Sequence, residues 1–401
     1  MANATAAPGA PPFAETGTGT RADAIAQMRD VDRTFLDWPF FEDRHRELAA
    51  RLESWCAKLT VDHGDVDAAC RDLVSRLAAD GWLIHSAGSL DVRTLCLIRE
   101  TLARYDGLAD FAFAMQGLGT GAITLFGTEA QKQWLPRTIQ GLAISAFALT
   151  EPRSGSDVAN METVARRDGS DWIVSGEKTW ISNGGIADLY CLFARTGGPG
   201  PKGISCFLLP GDAEGLEIVE RQEVIAPHPL AHLRFNEVRL PGDALIGAEG
   251  QGFRIAMSVL DVFRATVGAA ALGFARRALA ESAKRVRERE LFGAPMAELQ
   301  MVQGHIAEMA LDIDAAALLI YRAAWAKDQG AERVTREASM AKLFASEQAQ
   351  KVIDMAVQLH GGEGVRKGAV VESLYREIRA LRIYEGASDV QKVVIARQVL
   401  G

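Results

Sequence analysis

The chain has 401 residues, of which 48% are apolar and 24% charged, with a formal net charge of −8. That length accommodates two or three domains with separate cores, and the acidic balance argues against non-specific nucleic-acid binding. No apolar run reaches about eighteen residues, so no membrane span is expected. Five cysteines, Cys56, Cys70, Cys96, Cys191 and Cys206, form no C-x-x-C pair; they are expected to be reduced, buried thiols of a cytoplasmic protein.

Residues 1–20, rich in Ala, Gly, Pro and Thr, have neither a charged start nor a hydrophobic stretch and are expected to form a disordered arm. A helical segment is expected over 21–142. Within it, 47–52 and 68–77 alternate apolar and charged residues at the spacing of an amphipathic helix, and Asp80-Gly81 closes the second. The stretch 90–105 reads as another helix, followed by the apolar, glycine-punctuated 111–121 with Phe111 and Phe113. Thr128 is the expected N-cap of the next.

From 143 to 247 the period changes to two. Short strands are expected at 172–174, 179–181, 189–194, 204–209 and 216–219, split by Gly, Pro, Asp and Asn turns, as in an antiparallel barrel or sandwich. A strand-like run, 143–149, ends in Phe147-Ala148-Leu149-Thr150-Glu151-Pro152-Arg153-Ser154-Gly155-Ser156-Asp157. Pro152 fixes a backbone angle, Gly155 permits close approach, and the hydroxyls of Thr150, Ser154 and Ser156 gather at the turn. Such a loop is either an ordinary polar turn or the wrapping for a flat, polar heterocycle. About twenty residues on lies Gly176-Glu177-Lys178-Thr179-Trp180-Ile181-Ser182-Asn183. Trp180 is open to two readings, core packing or a cofactor wall. His228 and His232 have metal-like spacing, but Pro229 breaks the helix that would pair them and no further ligand completes a shell.

The glycines of 247–253 follow no βαβ pattern and mark the turn into a helix rather than a dinucleotide site. From 248 to 401 helices are expected at 253–289, 297–329, 334–361, 369–380 and 387–400, with small residues over 265–275 allowing close packing. Asp261 and Arg264 share a helix face three residues apart, the usual spacing of a surface ion pair. Further on come Arg289-Glu290-Leu291-Phe292-Gly293, Gln300, Gln358-Leu359-His360-Gly361-Gly362 and Ile383-Tyr384-Glu385-Gly386.

Taken together, these motifs resemble the acyl-CoA dehydrogenase family, over roughly residues 70 to 401: a T-E-P-x-x-G-S-D loop, a G-x-K-x-W-I-[ST]-N strand, R-x-x-F-G and the late Tyr-Glu-Gly. The resemblance implies an α+β, mainly α, fold with an N-terminal helical domain, a middle β-domain and a C-terminal helical bundle, assembled as a homotetramer in which the cofactor site needs a neighbour. It implies FAD as cofactor, held by Phe147, Leu149, Thr150, Gly155, Ser156, Trp180, Ile181 and Ser182, with Arg289, Phe292, Gln300, Gln358, Gly361 and Gly362 reaching the FAD of an adjacent subunit. Arginine suits a pyrophosphate because its planar fork pairs with phosphate oxygens. Substrate contacts fall to Ser156, Asp261, Arg264, Tyr384 and Gly386, and Glu385 becomes the general base. The implied reaction is oxidation of an acyl-CoA to the trans-2,3-enoyl-CoA, with electrons passed to an electron-transferring flavoprotein. Phe111 and Phe113 would then shape a pocket for a short, branched or ring-bearing acyl group, unless they serve plain core packing.

The chain departs from the family pattern in two places. The usual P-x-x-x-G-G-x-G loop is shortened to Ile84-His85-Ser86-Ala87-Gly88-Ser89-Leu90, and Ala387 and Asp389 stand where a hydroxyl residue and Gln commonly contact FAD. Two alternatives share the motifs: an acyl-CoA oxidase or flavin monooxygenase of the same fold, and a flavin-binding scaffold without catalysis. Peroxide formation in air separates the first, and DNA binding at low salt the second.

Overall fold

Carboxylates set the starts of the first helices. The computed structural model describes residues 32–401, so the arm expected at 1–20, and residues 21–31, lie outside the described residues. Glu42 and His45 form a capping box on α1 (Asp43–Cys56). Asp65, Asp91 and Asp106 each accept a backbone N–H at the starts of α2 (Val66–Ala79), α3 (Val92–Tyr105) and α4 (Gly107–Phe126). Thr128 and Gln131 exchange bonds between side chain and backbone ahead of a 3-10 turn, Gln131–Gln133, that leads into α5 (Trp134–Ile139); Thr128 thus braces this lead-in, while Gln133 is the N-cap of α5 itself. Almost every residue of α3 and α4 is buried, so these two helices form the inner layer. Phe113 is part of that core, and Phe111 packs its ring 4.6 Å from His228.

Helix α4 leans on the sheet through a glycine. A Cβ at Gly119 would come within 2.7 Å of the Ala146 nitrogen, so only glycine lets the helix approach β1 (Ser145–Ala148) this closely. The sheet continues with β2 (Val164–Asp168), β3 (Asp171–Ser182), β4 (Leu189–Arg195), β5 (Ile204–Pro210), β6 (Leu216–Arg221), β7 (Leu230–Leu240) and β8 (Leu245–Ile246). Its order is β6-β7-β3-β2-β4-β5-β8, with β1 alongside β4. The sheet is mixed rather than purely antiparallel, because β1 and β2 both run parallel to β4. The excursion over 149–163 leaves the sheet and re-enters in the same direction, whereas the tight turn at Gly169 reverses it. The two strands expected at 172–174 and 179–181 are one strand, β3, interrupted by register shifts between Val174/Gly176 and Lys178/Ile181.

The C-terminal half is helical: α6 (Gly252–Glu288), a small hairpin of β9 (Glu290–Leu291) and β10 (Ala294–Pro295), then α7 (Gln300–Asp328), α8 (Thr335–His360), α9 (Val370–Leu381) and α10 (Ser388–Leu400). These bounds fall within a few residues of the expected ones. Residues 265–275 of α6 are all buried, their small side chains admitting α3, α7 and α8. Helix α6 contains a window long and apolar enough to cross a membrane, but 83% of that window is buried against the rest of the chain, as in a core helix. All five cysteines are free and buried. Burial pushes the Cys56, Cys96 and Cys206 thiols far up and that of Cys70 up to about 12.

A buried ion pair fixes the turn that leaves β1. Lys178, on β3, donates from Nζ to Oε1 of Glu151 at 2.7 Å and to the Leu149 carbonyl at 3.0 Å. Glu151 also accepts the Glu162 and Thr163 N–H groups. Burial alone would raise its carboxyl, but Lys178 and these donors outweigh it and hold the group below the usual carboxylate range. Burial depresses the Lys178 ammonium to about 8. Lys178→Met would leave the Glu151 charge buried without its counter-ion and is expected to cost about 3–5 kcal/mol in denaturant unfolding. Adding Glu151→Gln to that variant should recover part of the loss.

Candidate active site

The hydroxyl-rich turn closes on itself. Glu151 and Ser154 exchange backbone hydrogen bonds at 3.1 and 3.2 Å, and the Ser154 hydroxyl donates to the Asp157 carbonyl. That arrangement turns Gly155 and Ser156 outward to solvent. The Thr179 N–H donates to the Thr150 carbonyl at 3.0 Å, so the two segments singled out by sequence meet in space. Phe147 packs against Phe193 with ring centroids 4.9 Å apart, and Leu149 is buried.

Trp180 is not a core residue. Its backbone is left-handed (φ 58°) at the second irregularity of β3, and its indole is 56% exposed. A bulge re-aims side chains, which explains why Trp180 faces out while Ile181 turns into the packed face of the sheet. Ile181 therefore belongs to the core, 2% exposed and with its carbonyl accepting the Gly184 N–H at 2.9 Å, so the expected direct cofactor contact is not available from its side chain. Ser182 is half-buried. Gln222 accepts the Trp180 N–H at 2.9 Å and donates to the Thr179 hydroxyl at 3.0 Å, bracing the irregular strand from outside.

Glu385 lies in the connection between α9 and α10. It and Gly386 both have left-handed backbones, φ 52° and 91°, an unusual setting for glutamate. Its side chain is half-buried, and among the described residues nothing hydrogen-bonds its buried Oε2. Burial raises the carboxyl above its ordinary value. Arg99, Lys342 and Arg264 pull it back in part, and Asp110 adds to the rise. Tyr384 stands beside it, its hydroxyl also pushed up by burial. Arg264 donates to Asp261 at 2.9 Å, and Asp261 accepts the Thr335 hydroxyl at 2.8 Å. Because Arg264 is only 5% exposed, this is an internal pair and not the surface pair its spacing also allowed.

A second group gathers where α6 and α8 end. Arg285 reaches the His360 carbonyl at 3.5 Å, tying the Arg289 segment to Gln358, Gly361 and Gly362. Arg289, Gln300, Gln358, Gly361 and Gly362 are all exposed, and Phe292 is 96% exposed with φ 55°. Ala387 forms the N-cap of α10, while Asp389 points outward to Lys392 at 3.0 Å. His228 and His232 are engaged by different carboxylates, Glu377 and Glu177.

Several site residues escaped sequence reasoning. Lys178 and Glu151 both lay inside quoted motifs without a role. Arg99 and Asp110 form a buried two-pronged pair, both bonds 2.8 Å, with Arg99 also donating to Thr266 at 3.0 Å. Lys342 and Gln391 approach the Glu385 turn from α8 and α10. The signal for Lys342 was its phase, since it occurs among Ala338, Ala341, Ala345 and Ala349 on the buried face of α8.

This architecture of helices, sheet and helices around an enclosed carboxylate defines a flavoenzyme-type scaffold of three successive domains. Family profiles match throughout: acyl-CoA dehydrogenase N-terminal domain at 42–142, middle domain at 146–238 and C-terminal domain at 250–400. The chain belongs to the acyl-CoA dehydrogenase family. It is 39% identical over 323 residues to cyclohexane-1-carbonyl-CoA dehydrogenase of Geobacter metallireducens, covering 80% of this chain and 84% of that one. It is 43% identical over 285 residues to acryloyl-CoA reductase (NADH) of Anaerotignum propionicum, covering 70% and 72%. A solved glutaryl-CoA dehydrogenase of Mycobacterium smegmatis in complex with FADH2 superposes with a TM-score of 0.83 at 28% identity, covering 94% of this chain and 98% of that one.

FAD is the cofactor of this family. The residues here fit it: the exposed indole of Trp180 offers an apolar face, and the outward Gly155 and Ser156 offer backbone and hydroxyl groups at an edge. The unpartnered Glu385 Oε2 has the character of a group awaiting a ligand. Since its carboxyl is raised in the fold, the stability it contributes is present below about pH 4.5 and lost as pH climbs through the raised value. Glu385→Gln is therefore expected to melt about 2 °C or more above the parent at pH 8, with the gap closing near pH 4, in thermal scans.

Proposed function

We propose that this chain oxidises a short or ring-bearing acyl-CoA thioester to the trans-2,3-enoyl-CoA, with Glu385 as the general base. The observation that carries the reading is the enclosed, unpartnered carboxylate of Glu385 on its left-handed turn. A carboxylate in a dry site is more basic than in water, which suits removal of a weakly acidic α-proton. Arg99, Lys342 and Arg264 keep enough of it ionised to act. Gly386 leaves room beside the base, and Tyr384 walls the space. As the thioester enters, Asp261 and Arg264 hold its pantetheine part, and backbone N–H donors such as that of Glu385 meet charge developing on the thioester oxygen.

Bound FAD supplies the acceptor for the β-hydride at its N5. The chain's part is to orient substrate beside it, with Trp180 and the Thr150–Ser156 turn as walls. Arg289, Phe292, Gln300, Gln358, Gly361 and Gly362 serve the cofactor of a second copy, in a tetramer, and electrons then leave to an electron-transferring flavoprotein. The substrate class is supported by the relatives named for cyclohexane-1-carbonyl-CoA and acryloyl-CoA, one ring-bearing and one short. In this reading Phe111, whose ring packs against His228, bounds the acyl end of the site.

Anaerobic bleaching of the flavin band across a panel of acyl-CoAs should be fastest with short and cyclic acyl groups. Glu385→Gln should keep its flavin and lose turnover by about 10²–10⁴-fold or more; a variant that turned over normally would refute the base assignment. Because the base acts only when ionised, kcat should rise as pH climbs through a value above the ordinary glutamate range. Stoichiometric peroxide in air, in place of reduction of an electron-transferring flavoprotein, would point to the oxidase alternative.

A further inference from the structure

The turn that carries Glu385 has no reason of its own to hold its shape. Two successive left-handed residues, the first of them not glycine, cost on the order of 1–3 kcal/mol and persist only where surroundings enforce them. The enforcement comes from two buried side chains on separate helices. Lys342, fully buried on α8, donates from Nζ to the Gly386 carbonyl at 2.8 Å. Gln391, fully buried on α10, donates from Nε2 to the Gly386 carbonyl at 3.0 Å and to the Glu385 carbonyl at 3.1 Å. The Gln391 amide occupies the space that a Cβ on residue 386 would need, so the fastening requires glycine there. Farther along, the Ser388 N–H donates to the Arg382 carbonyl at 3.1 Å, and Arg382 pairs with Glu347 of α8 at 2.8 Å, so the connection is held at both ends.

We propose that Lys342 is a positioning residue for the base: from α8 it pins the Gly386 carbonyl, with Gln391 opposite, and so fixes the left-handed turn that aims the Glu385 carboxylate. The inference rests on the reading of Glu385 as base. An ammonium with no surface exposure is an expensive choice for a purely structural hydrogen bond, which an uncharged donor would serve at lower desolvation cost. Its charge has a use here. The charged groups acting on Glu385 are Arg99 from α3, Asp110 from α4, Arg264 from α6 and Lys342 from α8. Arg99 is neutralised by Asp110 at 2.8 Å, and Arg264 by Asp261 at 2.9 Å. The Lys342 ammonium instead donates to a carbonyl of the base's own turn, so it orients and biases the base at once.

Lys342→Met keeps the stem but removes the donor and the charge. In the FAD-loaded protein it is expected to lower kcat by about a hundredfold, with KM for acyl-CoA moving by less than about threefold. Removing a positive charge raises a neighbouring carboxyl, so the acid limb of the kcat–pH profile should move to higher pH. Lys342→Arg should return the limb toward its parent position, and Lys342→Gln should recover part of kcat without returning the limb. A Lys342→Met protein with unchanged kcat and an unchanged profile overturns the proposal. So does a loss of kcat that Lys342→Gln and Lys342→Arg repair equally with no movement of the limb, since that is a structural bond only. Should Lys342→Met fail to fold, the Arg and Gln variants carry the comparison alone. Glu385→Gln, measured alongside, separates the two readings: if it retains turnover the base assignment falls, whereas an inactive Glu385→Gln beside a parent-like Lys342→Met removes only the role of Lys342.

Discussion

Close approach around α6 is the constraint on which the rest depends. Its buried run from Ala265 to Ala275 is mostly Ala and Gly, and at Gly268 and Gly273 the neighbouring helices come so near that a Cβ would meet Ala341 of α8 and the Glu100 carbonyl of α3. A helix surrounded on this scale gains stability from apolar burial along much of its length. It also becomes a rigid spine, and the charged residues it carries are held where water cannot dilute them. Arg264 and its partner Asp261 sit one turn before the small-residue run, Arg99 reaches α6 at Thr266, and Lys342 arrives on the helix packed opposite. The electrostatic surroundings of Glu385 are thus set by backbone separations rather than by flexible side chains.

That arrangement answers a difficulty inherent in a buried base. A carboxylate moved out of water becomes more basic but also tends to stay protonated, and a protonated group removes no proton. Complete compensation by one close cation would undo the gain in basicity. Here the positive charges are several, and two of them are already paired with Asp110 and Asp261. Their influence on Glu385 is therefore diluted, and its carboxyl remains raised overall. The second oxygen keeps its capacity to accept, since no group of the described residues bonds to Oε2.

Much of this was legible in the sequence, and the limits were physical. Long helices with steady periodicity declared themselves, and α6, α7, α8, α9 and α10 fall near the expected bounds. The Thr150 and Trp180 segments were recognisable as partners because their residue types recur in order, and the Thr179 to Thr150 bond joins them. Strand direction was not legible, since a period of two is the same for parallel and antiparallel neighbours. The orientation of Trp180 depended on an irregularity in β3 that alternation alone does not encode. Spacing gave Asp261 and Arg264 as a pair but said nothing of burial, which the surrounding helices decide. The roles of Lys178, Lys342 and Arg99 were hidden for the same reason: a lone charge reads as solvent-facing until its partner, distant in the chain, is brought beside it.

The cysteines carry a practical corollary. All five are enclosed, and the thiols of Cys56, Cys70, Cys96 and Cys206 are held in their unreactive, protonated form by that enclosure. They are spread from α1 through α2 and α3 to β4 and β5, so no small local opening uncovers them together. Alkylation of the native chain therefore works as a built-in clock: the order in which the sulfurs become modified reports which layer of the molecule breathes first.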